Sequence, residues 1–403
     1  MRVSTAFNRM LAIPGAWVTG VTFSPDGVIV DLRLRARRLR CPCGVSVTGR
    51  YDARMRSWRH LDLGACRLFL RYDIRRLWCP SCARVRSEEV PWARPRARHT
   101  RDFEDVACWL AQRADKTTVS RLLRCSWEGV DAIVGRVVTE MIDTHRLDDL
   151  YRIGVDEISY RRGSRYVTIV ADHDSGHVVW AGEGRGRRTI DAFYEELGPE
   201  RTAQLEAVSM DMAPTYRSAT ERAAPQAWIC FDPFHVIRYA NGALDSVYAA
   251  TASELGLTGA EWRSTRFTLR RAAEGLTRPQ RGTINRLRRA RHVLWRAWEL
   301  KEELRDLYRV NQRNPRRYLK TWIERARRSR IRPFVLLAKR LEEHAEGVAA
   351  SVAWGLSNSR LEGINQKVRL IIRRGYGYHS PAALIAMTYL TCGGLTVELP
   401  MKR

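Results

Sequence analysis

Between positions 151 and 212 the order of apolar runs and polar breaks predicts a sheet. Residues 153–157, 166–172 and 177–180 are three β-branched runs in quick succession, and after a helical stretch a fourth strand spans 205–211. Such an order reads as an antiparallel β-meander continued by an α/β crossover. Two of these strands end on a carboxylate, Asp156 and Asp211. If neighbouring parallel strands carry them, the two acids meet at one sheet edge, where a divalent cation would sit. That arrangement suggests phosphoryl transfer on a nucleic acid.

Upstream, residues 17–23 and 28–34 alternate as two strands, joined by the turn Pro25-Asp26-Gly27. Proline presets φ there and glycine accepts φ > 0. Two cysteine knuckles follow, Cys41-Pro42-Cys43 and Cys79-Pro80-Ser81-Cys82. Four thiolates in two close pairs suit a tetrahedral zinc ion that would staple a small β-rich module. Cys41-x-Cys43 is one residue short of the usual spacing, so Cys66 stands as an alternative fourth ligand, and four buried or free cysteines are the plainer reading.

Residues 84–102, rich in Arg and Pro, read as a linker tracking a phosphate backbone, with Arg94, Arg96, Arg98 and Arg101 as the neutralising charges. Helical spacing then recurs over 103–113, 118–123 and 127–138, with a tight break at Arg124-Cys125-Ser126. Three short helices with a turn before the last fit a helix-turn-helix. Its last helix would meet base edges through Glu128, Asp131 and Ala132, with Arg136 further along.

Beyond the fourth strand, 214–223 reads as a helix and 227–231 as a fifth strand, ending at Asp232-Pro233-Phe234-His235, which opens another helix. Residues 243–350 are almost wholly helical in pattern and suggest an inserted domain. Its Trp262, Trp295, Trp298 and Trp322 fit a bundle core better than stacking on bases. Farther on, Leu361, Ile364, Val368 and Ile371 recur every three or four residues, so this segment is an amphipathic helix with Glu362 in its first turn. Ser359-x-x-Glu362 also fits a capping box, which would give that glutamate a structural task. The basic stripe beside it, with Gln366, Arg369 and Arg373, argues for more than a cap.

Charge narrows the partner. The chain of 403 residues carries a formal charge of +26, from 70 Lys+Arg against 44 Asp+Glu. An excess of this size calls for a polyanion. No apolar run of transmembrane length and no secretory signal is visible, which favours nucleic acid over membrane and a cytoplasmic location, associated with the nucleoid when bound to DNA. In such a compartment clustered cysteine pairs suggest a metal site rather than disulfides.

Asp156, Asp211 and Glu362 are separated by 55 and 151 residues, with the helical insertion in the second gap. Here the chain resembles the bacterial insertion-sequence transposases of the ISL3 family. The resemblance rests on Gly154-Val155-Asp156-Glu157, Met210-Asp211-Met212, Asp232-Pro233-Phe234-His235-Val236 and Glu362-Gly363-Ile364-Asn365, with Tyr376-Gly377-Tyr378 similar in character. It implies a multidomain fold: a small β-rich zinc-binding module (1–90), a helix-turn-helix domain with its basic linker (91–145), an α/β ribonuclease-H-like DDE catalytic core (150–242 and 351–395) and a helical insertion (243–350).

The implied activity is a DDE transposase that binds the terminal inverted repeats of its element and cuts and rejoins double-stranded DNA. Asp156, Asp211 and Glu362 would hold two catalytic Mg²⁺ ions, and Cys41, Cys43, Cys79 and Cys82 one structural Zn²⁺. Glu157, Asp172 and Asp174 read as surface or supporting groups. Asp232 and His235 either support the metal site and position DNA or, for Asp232, simply cap a helix; Asn365 and Arg369 join the positioning set. Paired element ends imply a homodimer in the active complex. A structure-specific nuclease, or a DNA-binding regulator with a degenerate nuclease-like domain, is the alternative.

Overall fold

The computed structural model describes residues 2–402 apart from 164, 252–253, 255, 257–258, 310–312 and 358. It divides into two compact units, Met1–Asp143 with Leu370–Arg403, and Thr144–Arg369. Among the described residues no helix is long and apolar enough to cross a membrane.

The first unit begins with α1 (Val3–Leu11) and a hairpin of β1 (Ala16–Ser24) and β2 (Gly27–Leu34), turning where Pro25-Asp26-Gly27 predicts it. Gly27 has φ +135°, a value that side-chain-bearing residues rarely adopt. A two-residue pair, β3 (Leu39–Arg40) and β4 (Ser46–Val47), stands apart from the main sheet. β5 (Asp52–Leu63) and β6 (Cys66–Cys79) form a long antiparallel hairpin, β2 lies parallel to β6, and β7 (Arg84–Ser87) closes on its far end. Val30, Leu68, Leu70, Trp58 and Trp92 fill the core.

The stretch 84–102 is not a linker. It supplies β7, and then Val90, Trp92, Ala93, Arg94 and Ala97 are all buried. Trp92 packs edge-on against both Trp58 and Tyr72. Apolar residues set among the arginines pulled the segment inward, which an Arg and Pro count does not reveal.

Three helices follow: α2 (Arg101–Ala111), α3 (Lys116–Leu123) and α4 (Trp127–Met141). Each starts on a side-chain cap, from Thr100, Asp115 and Ser126. Between α3 and α4 the turn runs through Arg124 at φ +50°. α4 buries Val130, Ile133, Val134, Val137 and Val138, one apolar stripe at helical spacing.

The second unit is built on a five-stranded sheet. β8 (Arg152–Arg161), β9 (Arg165–Asp172) and β10 (Val178–Glu183) form the antiparallel meander. Helices α5 (Arg187–Leu197) and α6 (Pro199–Thr202) cross to β11 (Ala207–Met210), which lies parallel to β8. After α7 (Pro214–Ala223), β12 (Trp228–Phe231) adds a second parallel pair, giving the order β10-β9-β8-β11-β12.

From α8 (Pro233–Thr251) onward the unit is helical: α9 (Gly259–Arg270), α10 (Arg278–Arg289), α11 (Val293–Arg309), α12 (Pro315–Arg328), α13 (Arg332–Glu343) and α14 (Ala345–Ala353). Trp322 is buried and donates its indole N–H to the Leu300 carbonyl at 2.8 Å, while Trp262, Trp295 and Trp298 pack at the edge of the same core. These tryptophans are bundle residues.

α15 (Ser359–Arg374) begins in the second unit and its last turn falls in the first; α16 (Pro381–Cys392) packs there against α4. The tail from Leu370 thus groups with the N-terminal unit, where the sequence pattern assigns 351–395 to one segment.

Candidate active site

β8 and β11 run side by side in the register Ala207–Arg152, Val208–Ile153 and Ser209–Gly154. Asp156 and Asp211 each lie two residues beyond the Gly154–Ser209 pair, so parallel pairing brings the two acids to one end of the sheet. Burial raises the Asp156 pKa, and Asp211 adds to the rise, while the Glu157 amide, His235 and Asn365 oppose it. Asp156 Oδ1 accepts the Glu157 N–H at 2.8 Å and Oδ2 accepts Asn365 Nδ2–H at 2.5 Å. Asp211 Oδ1 accepts the Ala213 N–H at 2.9 Å.

α15 reaches this edge because Gly154 has no side chain. A Cβ there would stand 2.5 Å from Leu361 Cδ1, 2.9 Å from Ser209 Oγ and 3.0 Å from His173 Nε2. The helix therefore lies directly on the strand, held also by Arg360, which donates to the His173 carbonyl. Beneath it the buried His173 and Ser209 share a 2.6 Å hydrogen bond. Leu361, Ile364, Val368 and Ile371 are all buried, as their spacing predicts.

Glu362 sits on α15 one turn before Asn365, so the two share a side of the helix. Its carboxylate is exposed. α15 is described from Ser359, with Glu362 in its first turn, and position 358 lies outside the described residues. Among the described residues only the four cysteines bring three or more ligand atoms within 4.8 Å of one another; the three acids are not drawn in so closely. Arg369 lies two turns along, exposed.

Asp232 is buried and its Oδ1 accepts the Phe234 N–H at 3.2 Å, the contact expected of a helix cap. His235, half-buried on α8, acts electrostatically on Asp156. Asp174 pairs with Arg152, and Asp172 accepts the N–H groups of Asp174 and Ser175, so both serve a turn.

Glu157 is more than a surface group. Burial, together with Asp211 and Asp156, pushes its pKa up to about 7, and Tyr216 hydrogen-bonds to it. Its Oε2 is buried without a hydrogen-bond partner, as is Asn365 Oδ1. Acid-on-acid proximity at the end of a strand was the available signal, since Glu157 directly follows Asp156. Buried oxygens without hydrogen-bond partners are the kind of donor a hard divalent ion takes.

In the first unit, the β3–β4 turn carries Cys41 and Cys43, while Cys79 ends β6 and Cys82 lies in the turn to β7. Cys41 Sγ lies 4.0 Å from Cys82 Sγ and Cys43 Sγ 3.5 Å from Cys79 Sγ. A tetrahedral Zn–S₄ centre with bonds of roughly 2.3 Å needs sulfurs about 3.8 Å apart, so the set is compatible with zinc. The backbone at Val45 and the neighbouring thiols lower the Cys43 pKa to about 6. The short Cys41-x-Cys43 spacing is accommodated, and Cys66 stands outside the set, exposed.

The residues assigned to DNA contact separate into two groups. Arg94 is buried and its guanidinium engages Glu104, Asp105 and Glu140; Arg101 also pairs with Glu140, and Arg136 with Glu104. Asp131 pairs with Lys116. Arg94, Asp131 and Arg136 are thus committed to holding the three helices together, which removes Arg94 from any surface a duplex would meet. Arg96, Arg98 and Glu128 are exposed.

Comparison with known proteins settles the family. Residues 88–138 match the helix-turn-helix domain of transposase family ISL3, and residues 153–388 match the transposase domain of that family. The transposase for insertion sequence element IS1557 of Mycobacterium tuberculosis is 37% identical over 408 residues, covering 93% of this chain and 91% of its own length. The chain belongs to the ISL3 transposase family. The transposase for insertion sequence element IS1001 of Bordetella parapertussis is 30% identical over 356 residues, 87% of each chain. Within the family frame α2, α3 and α4 are the DNA-binding helix-turn-helix, and the match from residue 88 takes in the packed segment before α2.

Proposed function

We propose that this transposase binds the terminal inverted repeats of its own insertion sequence and performs metal-dependent strand cleavage and strand transfer. What carries the reading is the meeting of Asp156, Asp211 and the Glu362 helix: two acids each two residues past the last parallel pair of β8 and β11, and α15 docked beside them through Asn365 and Gly154. An antiparallel meander followed by two parallel strands supports a ribonuclease-H-like core, with residues 243–350 as its helical insertion.

Two Mg²⁺ ions, when bound, would supply charge neutralisation at the scissile phosphate and an activated water or 3′-hydroxyl. Asp156, Asp211 and Glu362 are the residues that would hold them. Asn365 orients the Asp156 carboxylate, and His235 on α8 acts on it electrostatically. In the first unit Cys41, Cys43, Cys79 and Cys82 would hold zinc, stapling the sheet that precedes the reading helices. The active complex would be a homodimer on paired ends.

The test is excision against binding. Asp156→Ala, Asp211→Ala and Glu362→Ala should each abolish strand cleavage in Mg²⁺ while leaving affinity for the element's end largely intact. Normal cleavage by any one of them would remove that residue from the site.

A further inference from the structure

The helical part of the second unit holds many arginines, and on α9, α11 and α12 several of them have acids to meet. On α12, Arg316 pairs with Glu346, Arg325 with Glu299 and Glu303, and Arg327 with Glu342. On α9, Arg266 and Arg270 share Asp245. These are what structural arginines look like in this domain.

α10 differs. Residues 278–291 contain six arginines and no acid. Only Ile284 and Leu287 are buried, and all six arginines are exposed. None of the six forms an ion pair among the described residues; Arg281 donates to the Leu276 carbonyl and Arg286 to Thr283 Oγ1. At 3.6 residues per turn, Arg278, Arg286 and Arg289 share the side opposite Ile284 and Leu287. That row is roughly 16 Å long, a length over which duplex DNA carries about ten phosphate charges.

We infer that α10 is a second DNA surface, one that grips the phosphate backbone without reading sequence. It rests on the proposed action on DNA and adds a contact outside both the helix-turn-helix and the acidic site. Six like charges on one short segment repel one another, and among the described residues no acid offsets them, whereas a polyphosphate does. An anionic membrane fits less well, because the exposed side of α10 offers no apolar stripe to insert. The surface continues onto α9, where the exposed Phe267 lies under Arg271, which also donates to Gln280 of α10.

The test uses the full chain with Arg278→Gln, Arg286→Gln and Arg289→Gln combined. Glutamine is a good helix former, so melting should not change. Binding to a terminal-repeat duplex and to a scrambled duplex is measured between 50 and 200 mM salt. Each lost phosphate contact should make the log–log salt slope shallower by about 0.9, so three should remove about 2.7, and the fall in affinity over that range becomes roughly 40-fold smaller, on both DNAs alike. The Arg→Lys triple should keep the wild-type slope, which separates lost charge from a disturbed helix. An unchanged slope in the Gln triple, with wild-type chain still binding DNA, overturns the α10 surface and leaves the transposase reading standing. A wild-type chain that binds neither duplex overturns both.

Discussion

Asn365 donates from Nδ2 to Oδ2 of Asp156 at 2.5 Å, a contact between residues 209 apart in the chain. With Glu157 N–H on the other oxygen, the Asp156 carboxylate has its rotation fixed from both sides. Partners of metal-ligating carboxylates commonly contribute about 10–100-fold in metal affinity or activity. Asn365→Ala should therefore slow single-turnover cleavage by roughly that factor and weaken Mg²⁺ binding, with end-binding unchanged. Wild-type cleavage in the variant would reduce the contact to packing.

Glu362→Gln separates ligation from helix capping. Gln would serve a capping box as well as Glu, but it is a poor ligand for Mg²⁺. Glu362 is exposed in the first turn of α15. The variant should melt like the wild type and cleave no DNA. Activity near wild type would return Glu362 to a structural role.

The four-cysteine set predicts about one zinc per chain by elemental analysis. Cys43→Ser and Cys79→Ser should lose it and lower the melting temperature, whereas Cys66→Ser should keep both, since Cys66 stands outside the set. Zinc retained in Cys43→Ser but lost in Cys66→Ser would reverse that assignment.

Acid should loosen the N-terminal unit through His99. Its ring stacks on Phe103 at 4.5 Å, and burial, with Arg136, Arg59 and Arg98 nearby, lowers its pKa to about 4. A histidine depressed below its unfolded value of about 6.5 contributes stability that is full above that pH and lost as pH falls towards 4. With the ring partly exposed, the loss should be about 1–2 kcal/mol. Melting of His99→Gln should decline less than wild type between pH 7 and pH 4.5, and equal declines would place the acid sensitivity elsewhere.

The sheet was legible because its strands are β-branched runs, although β8 continues past Asp156 to Arg161, and parallel pairing of β8 with β11 follows from the crossover between them. The amphipathic spacing of Leu361, Ile364, Val368 and Ile371 likewise announced the face of α15 that is buried. Long-range fit was not legible. That Gly154 is a docking seat depends on Leu361 arriving from more than two hundred positions away, and no local pattern encodes the arrival. The segment 84–102 misled because arginine there is partly a core cation: Arg94 looks like its neighbours until Glu104, Asp105 and Glu140 fold around it.

That contrast makes the last prediction. Arg94, Arg96 and Arg98 are equivalent in sequence but not in environment, since Arg94 is buried among three acids while Arg96 and Arg98 are exposed. Arg94→Ala would take the buried cation from beside Asp105 and leave Glu104 to Arg136 alone, and breaking a buried ion pair costs about 3–5 kcal/mol. It should lower the melting temperature sharply and affect DNA only through lost fold. Arg96→Gln with Arg98→Gln should leave melting unchanged and weaken terminal-repeat and scrambled duplexes alike, with a salt slope shallower by up to about 1.8, because phosphate contacts position without specifying. Glu128 is exposed in the first turn of α4, so Glu128→Ala should instead change the preference between the two duplexes and leave the slope alone. If the Arg96 and Arg98 pair alters preference as much as Glu128 does, those arginines read a groove rather than the backbone. If Arg94→Ala melts normally, the buried network is not what holds α2 and α4 together.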